Sequence, residues 1–244
     1  MKDREELLLR VIHMMGDKFK DRIVLEGGML LRLLGCPRST QDVDYVLLSE
    51  ESKKVLAEKI KRSLAEIEGA RVTEVSLNSR GIFIRVETIE DPRLTAMVEI
   101  GVAAALNLPA GHISTVALAN RFLLGGRIVT TMALPEAFAN KIASALERDA
   151  MRDLYDLSIL EPLCAFDEAT LKGRLEHLSV GRKKPASINP EAAAAMLREK
   201  ANTITAKAVK EELAPLLPPH QAEGIETLIR ASVLRIAEKI AIIA

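Results

Sequence analysis

Apolar residues open this chain at helical spacing. Leu7, Leu8, Val11, Ile12 and Met15 fall three or four apart, which predicts an amphipathic helix over residues 3–18. The period then shortens. Residues 22–26 form a β-branched run closed by Gly27-Gly28, residues 29–34 return to helical spacing, and Gly35 and Pro37 stop them. Residues 42–48 predict a strand in which Val43, Tyr45, Val46, Leu47 and Leu48 read as buried and central. Ser49-Glu50-Glu51 predicts the cap of a charged helix reaching Ile67, with Val55, Ile60, Leu64 and Ile67 inward. Further strands are expected over residues 71–77, 81–88, 94–103, 112–117 and 127–133, separated by Asn-, Pro- and Gly-containing turns. After Pro135 the pattern becomes helical throughout, with helices expected over 135–148, 149–163, 167–179, 190–200, 204–213 and 219–240. Residues 181–185 read as a basic linker. The pattern therefore predicts an α/β (α+β) domain over 1–134, a mixed β-sheet with flanking helices, followed by a C-terminal helical bundle over 135–244.

Composition narrows the function classes. Of 244 residues, 48% are apolar, enough for a sizeable core. Aromatics make up only 3%, which argues against a single-strand binder built on stacking platforms. The 34 basic residues balance the 34 acidic ones, so a nucleic-acid partner would need a local basic patch. Cys36 and Cys164 lie far apart with no metal-type spacing, and the four histidines show none either. The N-terminus carries acids within its first helix and no cleavage site, and no uncharged run approaches the ~20 residues a membrane span needs. A cytoplasmic protein with no membrane partner is expected.

The candidate chemistry lies in acids that interrupt apolar strands. Alternation puts Asp42 and Asp44 on the same side of one strand, with Cβ atoms roughly 7 Å apart. Two anions that close repel, and burying either one unpaired costs several kcal/mol. A divalent cation relieves both problems, and Mg²⁺ needs only one or two carboxylates plus substrate phosphates. Glu99 interrupts the apolar segment 94–103 in the same way. If that strand lies beside the Asp42–Asp44 strand, three acids converge and a two-metal site becomes feasible. Gly27-Gly28, between strand and helix, lets the backbone approach a ligand while helical N–H groups point at an anion.

Gly27-Gly28, a helix, then Arg38-Ser39-Thr40-Gln41-Asp42-Val43-Asp44 resembles the nucleotidyltransferases of the DNA polymerase β-like superfamily. More closely it resembles the AbiEii family, the toxin halves of abortive-infection toxin–antitoxin pairs. The resemblance implies a nucleotidyltransferase-type sheet, with Gly27 and Gly28 binding the triphosphate, Asp42 and Asp44 as metal ligands and Glu99 as the third carboxylate. Gly28 stands where that superfamily often has serine, so backbone N–H groups are expected to take over the missing hydroxyl's work.

A second part of the resemblance is a Lys…Arg…Arg-Asp-x-x-Asp-Leu run, here Lys141, Arg148, Arg152, Asp153, Asp156 and Leu157. If one helix runs through, residues 141, 148 and 152 lie within roughly 40° of one another at about 100° per residue. Arg148 and Arg152 are then a like-charge pair that calls for an opposing acid or anion, and Asp156, four residues on, is a natural partner for Arg152. The resemblance implies that Lys141 contacts nucleotide phosphates, that Arg148 and Arg152 support phosphate or metal-site acids, and that Asp156 positions nucleotide or acceptor. The helical domain is thereby expected to contribute to the active-site cleft. A salt-bridged, solvated helix face explains the same charges without any function.

The function so implied is Mg²⁺-dependent transfer of a nucleoside monophosphate from an NTP to an acceptor hydroxyl. RNA, particularly the tRNA 3′ end, is the expected acceptor, with a cognate antitoxin as partner in a type IV toxin–antitoxin system. Arg32, Arg38, Arg182, Lys183 and Lys184 are the candidate basic rim for RNA. The alternatives are a small-molecule or protein nucleotidyltransferase, or a catalytically silent RNA-binding module on the same fold.

Overall fold

A computed structural model of the chain describes residues 1, 3–178 and 187–243. The chain divides into two compact units, Met1–Ala133 and Leu134–Ala244.

The first unit begins with α1 (Arg4–Phe19), started by Asp3, whose carboxylate accepts from the Glu6 amide at 2.9 Å. Its apolar stripe, Leu7, Leu8, Val11, Ile12 and Met15, is at most 1% exposed. Then follow β1 (Ile23–Glu26), α2 (Gly27–Leu33), β2 (Asp42–Leu48), α3 (Lys53–Leu64), β3 (Ala70–Leu77), β4 (Ile82–Thr88), β5 (Thr95–Ala103), β6 (Gly111–Ser114), a short α4 (Val116–Ala119) and β7 (Ile128–Thr131). The seven strands form one mixed sheet in the order β3-β4-β5-β2-β1-β7-β6, so β2 is its middle strand. It pairs antiparallel with β1 and parallel with β5.

One face of this sheet is dry. Val43, Tyr45 and Leu47 of β2, Ala96, Val98 and Ile100 of β5, and Ile82, Ile84 and Val86 of β4 are all 2% exposed or less. Helices α1 and α3 pack on each other and against these strands. Alternation sends the intervening residues to the opposite face, where Asp42, Asp44, Val46 and Leu48 are half-buried. The sequence-based expectation of a strand buried on both faces is therefore corrected: Val46 and Leu48 share the partly open side with the aspartates. The acids stand on a face that is only half covered.

Other boundaries move for identifiable reasons. The cap of α3 is Ser52, whose Oγ accepts from Val55 N at 3.5 Å, while Ser49 closes a turn onto Glu51 N instead. With that phase the inward residues are Leu56, Ile60 and Leu64, and Val55 is 46% exposed. The strand expected over 112–117 stops at Ser114. There the buried Thr115 bonds Arg127 through its amide and its hydroxyl, at 2.8 and 2.9 Å, and the chain leaves the ladder for α4.

The second unit is helical: α5 (Leu134–Glu147), α6 (Met151–Leu160), α7 (Glu168–Leu175), α8 (Pro190–Thr203), the single turn α9 (Ala206–Ala208) and α10 (Ile225–Ile242). Phe138, Ile142, Leu146, Leu157, Leu160, Leu197, Ile229, Val233, Ile236 and Ile240 form its core, each at most 1% exposed. Ala193 and Ala194, from the alanine run, are fully buried where α8 packs on α10. The helix expected over 204–213 is instead α9 followed by a π-helical turn (Val209–Leu213) and a 3-10 turn (Ala214–Leu216). The last helix starts at residue 225 rather than 219. Pro218 and Pro219 disfavour helix in the residue before each, and Gly224 takes a left-handed φ of 72°.

Glu161, beyond the end of α6, receives Arg235 at 2.7 Å and Lys239 at 2.9 Å from α10. Arg235 above all, with Lys239 adding to it against the opposing effect of burial, holds its carboxyl down at about 2. A depressed folded-state value stabilises the fold above the unfolded-state value near 4.5 and is lost as pH falls from there toward 2. The melting-temperature advantage of the native protein over Glu161→Gln is thus expected at pH 6 and should shrink as pH falls below 4.5. An advantage independent of pH would contradict the assignment.

Candidate active site

The site on the sheet unit is built by strand register. Pairing of β2 with β5 sets Asp44 opposite Glu99 and Asp42 opposite Met97. Pairing of β1 with β2 sets Glu26 opposite Asp44. Residues opposite one another on paired strands share a face, so Glu26, Asp44 and Glu99 form a lateral row across three strands, with Asp42 one step along the middle strand. All four are half-buried. The strand neighbourhood on which Glu99's convergence with the aspartates depends is therefore present. Glu26 is an addition that sequence reasoning missed, although its signal was of the same kind: an acid ending an apolar run beside the glycine pair.

The glycines complete the arrangement. Gly27 opens α2 with φ 69°, a left-handed conformation that side-chain-bearing residues rarely adopt. A Cβ placed on it would lie 1.8 Å from Asp44 Oδ2. The absence of a side chain is what lets the aspartate carboxylate lie against the strand-to-helix turn. At Gly28 a Cβ would lie 2.8 Å from Thr40 Oγ1 and 3.3 Å from Arg38 Nη2. A hydroxyl and a guanidinium from the loop before β2 thus crowd the space a serine side chain would enter. Thr40, like Glu26, was not singled out by the sequence.

The expected basic rim is corrected. Arg38 is buried at 5% exposure and donates from Nη1 to the Ser39 carbonyl at 3.0 Å. Arg32 is 18% exposed, pairs with Glu5 at 2.5 Å and donates to the Cys36 carbonyl at 2.7 Å. Both guanidiniums are committed to their own fold and form no open cationic surface. Arg182, Lys183 and Lys184 lie outside the described residues.

The donor chemistry suits a hard divalent cation. Carboxylate oxygens on one sheet face beside a helix-opening glycine turn match what Mg²⁺ takes: one or two carboxylates, retained waters and substrate phosphates. Among the described residues, no group of three or more His, Cys, Asp or Glu side chains is close enough to hold a metal by itself. The acids form an open row rather than a closed cage, and a nucleotide's phosphates would supply the remaining oxygens.

On the helical unit, the chain does not run through as one helix. α5 ends at Glu147 and α6 starts at Met151. A continuous helix would separate Lys141 from Asp156 by about 22 Å at 1.5 Å per residue. In the structure Lys141 Nζ donates to Asp156 Oδ2 at 2.8 Å and lies 3.9 Å from Asp153 Oδ1. Arg148 grips Asp153 through Nε and Nη2 at 2.6 and 2.9 Å. The partner of Asp156 is thus Lys141 and not the expected Arg152, which is exposed. Asp153 and Asp156 are both 0% exposed, and the two cations compensate the two buried anions. Breaking such a pair by removing one partner costs about 3–5 kcal/mol, because the other charge stays buried.

Comparison with known proteins follows the same lines. The family model described as nucleotidyl transferase AbiEii toxin, type IV TA system, matches residues 13–231. No curated protein matches the sequence. Among solved structures, MenT4, the nucleotidyltransferase toxin Rv2826c from Mycobacterium tuberculosis H37Rv, superposes with a TM-score of 0.61 at 18% identity, covering 98% of this chain and 86% of that one. JHP933 from Helicobacter pylori superposes with a TM-score of 0.57 at 17% identity, covering 98% and 90%. At these identities the likeness is one of fold. Among the described residues, no helix is long and apolar enough to cross a membrane.

Proposed function

This chain belongs to the AbiEii family of NTP-dependent nucleotidyltransferase toxins of type IV toxin–antitoxin systems, and we propose that it moves a nucleoside monophosphate onto an RNA hydroxyl, with the tRNA 3′ end as preferred acceptor and a cognate antitoxin as partner. The observation that supports this most is the register that lines up Asp44 and Glu99 on one sheet face with Gly27 against the Asp44 carboxylate.

In this reading Asp42 and Asp44 would hold Mg²⁺, and Glu99, opposite Asp44, would either add a ligand or serve as the base. When bound, Mg²⁺ supplies charge neutralisation at the acceptor oxygen and at the departing pyrophosphate. The first N–H groups of α2, freed by the glycine pair, bind phosphate oxygens. Thr40, beside Gly28, adds a hydroxyl to that end of the site. Lys141, oriented by the buried Asp156, offers its ammonium to the nucleotide's phosphates. Arg148 holds Asp153, which flanks the same lysine, and exposed Arg152 is available to phosphate. The acceptor oxygen attacks the α-phosphorus, the bond to the bridging oxygen of the β-phosphate breaks, and Glu99, where it serves as the base, takes the acceptor's proton. Positioning and charge neutralisation do nearly all the work in such a transfer.

The test is incubation of the protein with each α-labelled NTP, Mg²⁺ and total RNA, with Asp44→Ala in parallel. Label in RNA, dependent on Asp44, supports the reading. Label in a small hydroxylated acceptor or in protein, with none in RNA, replaces the acceptor. No transfer to any acceptor removes the proposal.

A further inference from the structure

We propose that Lys200 and Glu212 are positioning residues that fix the break between α5 and α6, and through it the Lys141–Asp156 pair. The inference rests on the role assigned above to that pair.

The pair exists only because the chain folds back within residues 148–150. Arg148 on Asp153 ties the turn across the break, but the start of α6 has no side-chain cap of its own. α6 starts from Ala150, which has extended backbone angles (φ −132°, ψ 119°) and a side chain that cannot cap. The first N–H groups of α6 therefore need acceptors from elsewhere, and the last carbonyls of α5 need donors.

Both needs are met from far along the sequence. Glu212, in the π-helical turn after α9, accepts from the Met151 amide at 3.3 Å, sixty-one residues away. Its charge also suits a helix N-terminus. Lys200, on α8, donates to the Arg148 carbonyl at 3.1 Å and to the Asp149 carboxylate. The Lys200 side chain is only 14% exposed, and its hydrogen bond holds the Asp149 carboxyl below the usual range. A cation at one helix end and an anion at the next helix start thus brace the turn from both sides. Lys200, Glu212, Arg148, Met151 and Leu154 line one cavity at that point. The braced segment sets where α6 sends Asp153 and Asp156, and so where Lys141 is held. This gives the C-terminal helices, whose sequence has no chemical motif, a defined task.

The test uses the full chain and steady-state nucleotidyl transfer. Lys200→Met and Glu212→Ala are each expected to raise the KM for NTP roughly 10–100-fold, as for other residues that orient a functional group, with a smaller change in kcat. Lys200→Arg should restore most of the loss. In a Lys141→Met background the Lys200→Met effect should vanish, because nothing remains to be positioned. Glu212 is exposed, so its variant keeps the fold and carries the test if Lys200→Met does not fold. Wild-type kinetics in folded Glu212→Ala, or an undiminished effect of Lys200→Met without Lys141, overturns the inference. A wild-type protein with no transfer at all overturns the functional reading beneath it, a result distinct from an active protein indifferent to these changes.

Discussion

Asp44→Asn is expected to lower nucleotidyl transfer roughly 10³-fold, the scale of losing a main electrostatic contribution to a phosphoryl-transfer transition state. Asp44 is the residue on which every arm of the sheet site converges. It lies opposite Glu26 on one neighbour and Glu99 on the other, two residues from Asp42, with its carboxylate against Gly27. Like charges placed opposite one another across strands destabilise a sheet, and a bound divalent cation removes that cost. Binding to the folded state alone raises stability by mass action. Mg²⁺ together with NTP should therefore raise the melting temperature of the native protein and have little effect on Asp44→Asn. The asparagine keeps the shape and the half-buried setting while removing the charge. Equal activity of the two proteins, or an equal thermal shift, would rule out a metal role for this carboxylate.

Gly27→Ala is the second large effect, and it arises from two independent constraints. The φ of 69° costs a non-glycine residue about 1–2 kcal/mol. The added Cβ would also fall 1.8 Å from Asp44 Oδ2, a distance no pair of non-bonded atoms tolerates. Either the carboxylate or the turn must move, and a displacement of about 1 Å at a reacting site costs on the order of 10²-fold in rate. Denaturant titration should show a loss of about 1–3 kcal/mol, and transfer activity should fall at least about 10²-fold. Gly28→Ala provides the contrast. Its Cβ meets the ends of two side chains, Thr40 and Arg38, rather than a carboxylate fixed in the row. A smaller loss is expected there. A Gly27→Ala protein with native stability and native turnover would mean that the turn does not hold Asp44 where the structure puts it.

The acids were legible in the sequence because they violate the local pattern. Charged residues inside apolar strands are costly without a reason, so Asp42, Asp44 and Glu99 stood out one by one. Glu26 ends its strand and therefore looked like ordinary polar termination. Thr40 and Arg38 lie in a loop, where polarity carries no surprise, and their approach to Gly28 is a matter of three dimensions. Arg32 and Arg38 were misread as surface cations for the same reason: composition cannot distinguish an arginine facing water from one bound to its own backbone carbonyls.

What the sequence determined by itself is periodic and local. The existence of β2, β4 and β5 as strands, the stripe of α1 and the change to helices after Pro135 each follow from side-chain spacing and local turn signals. Tertiary structure decided whatever depends on partners distant in the chain. The parallel pairing of β2 with β5 brings Asp44 opposite a glutamate fifty-five residues later, and the fold-back at residues 148–150 converts a helical charge stripe into two ion pairs with buried carboxylates. No spacing rule encodes either one. A strand's neighbour and a helix's break are chosen by the burial of whole faces, and that sum is settled only when the entire unit packs.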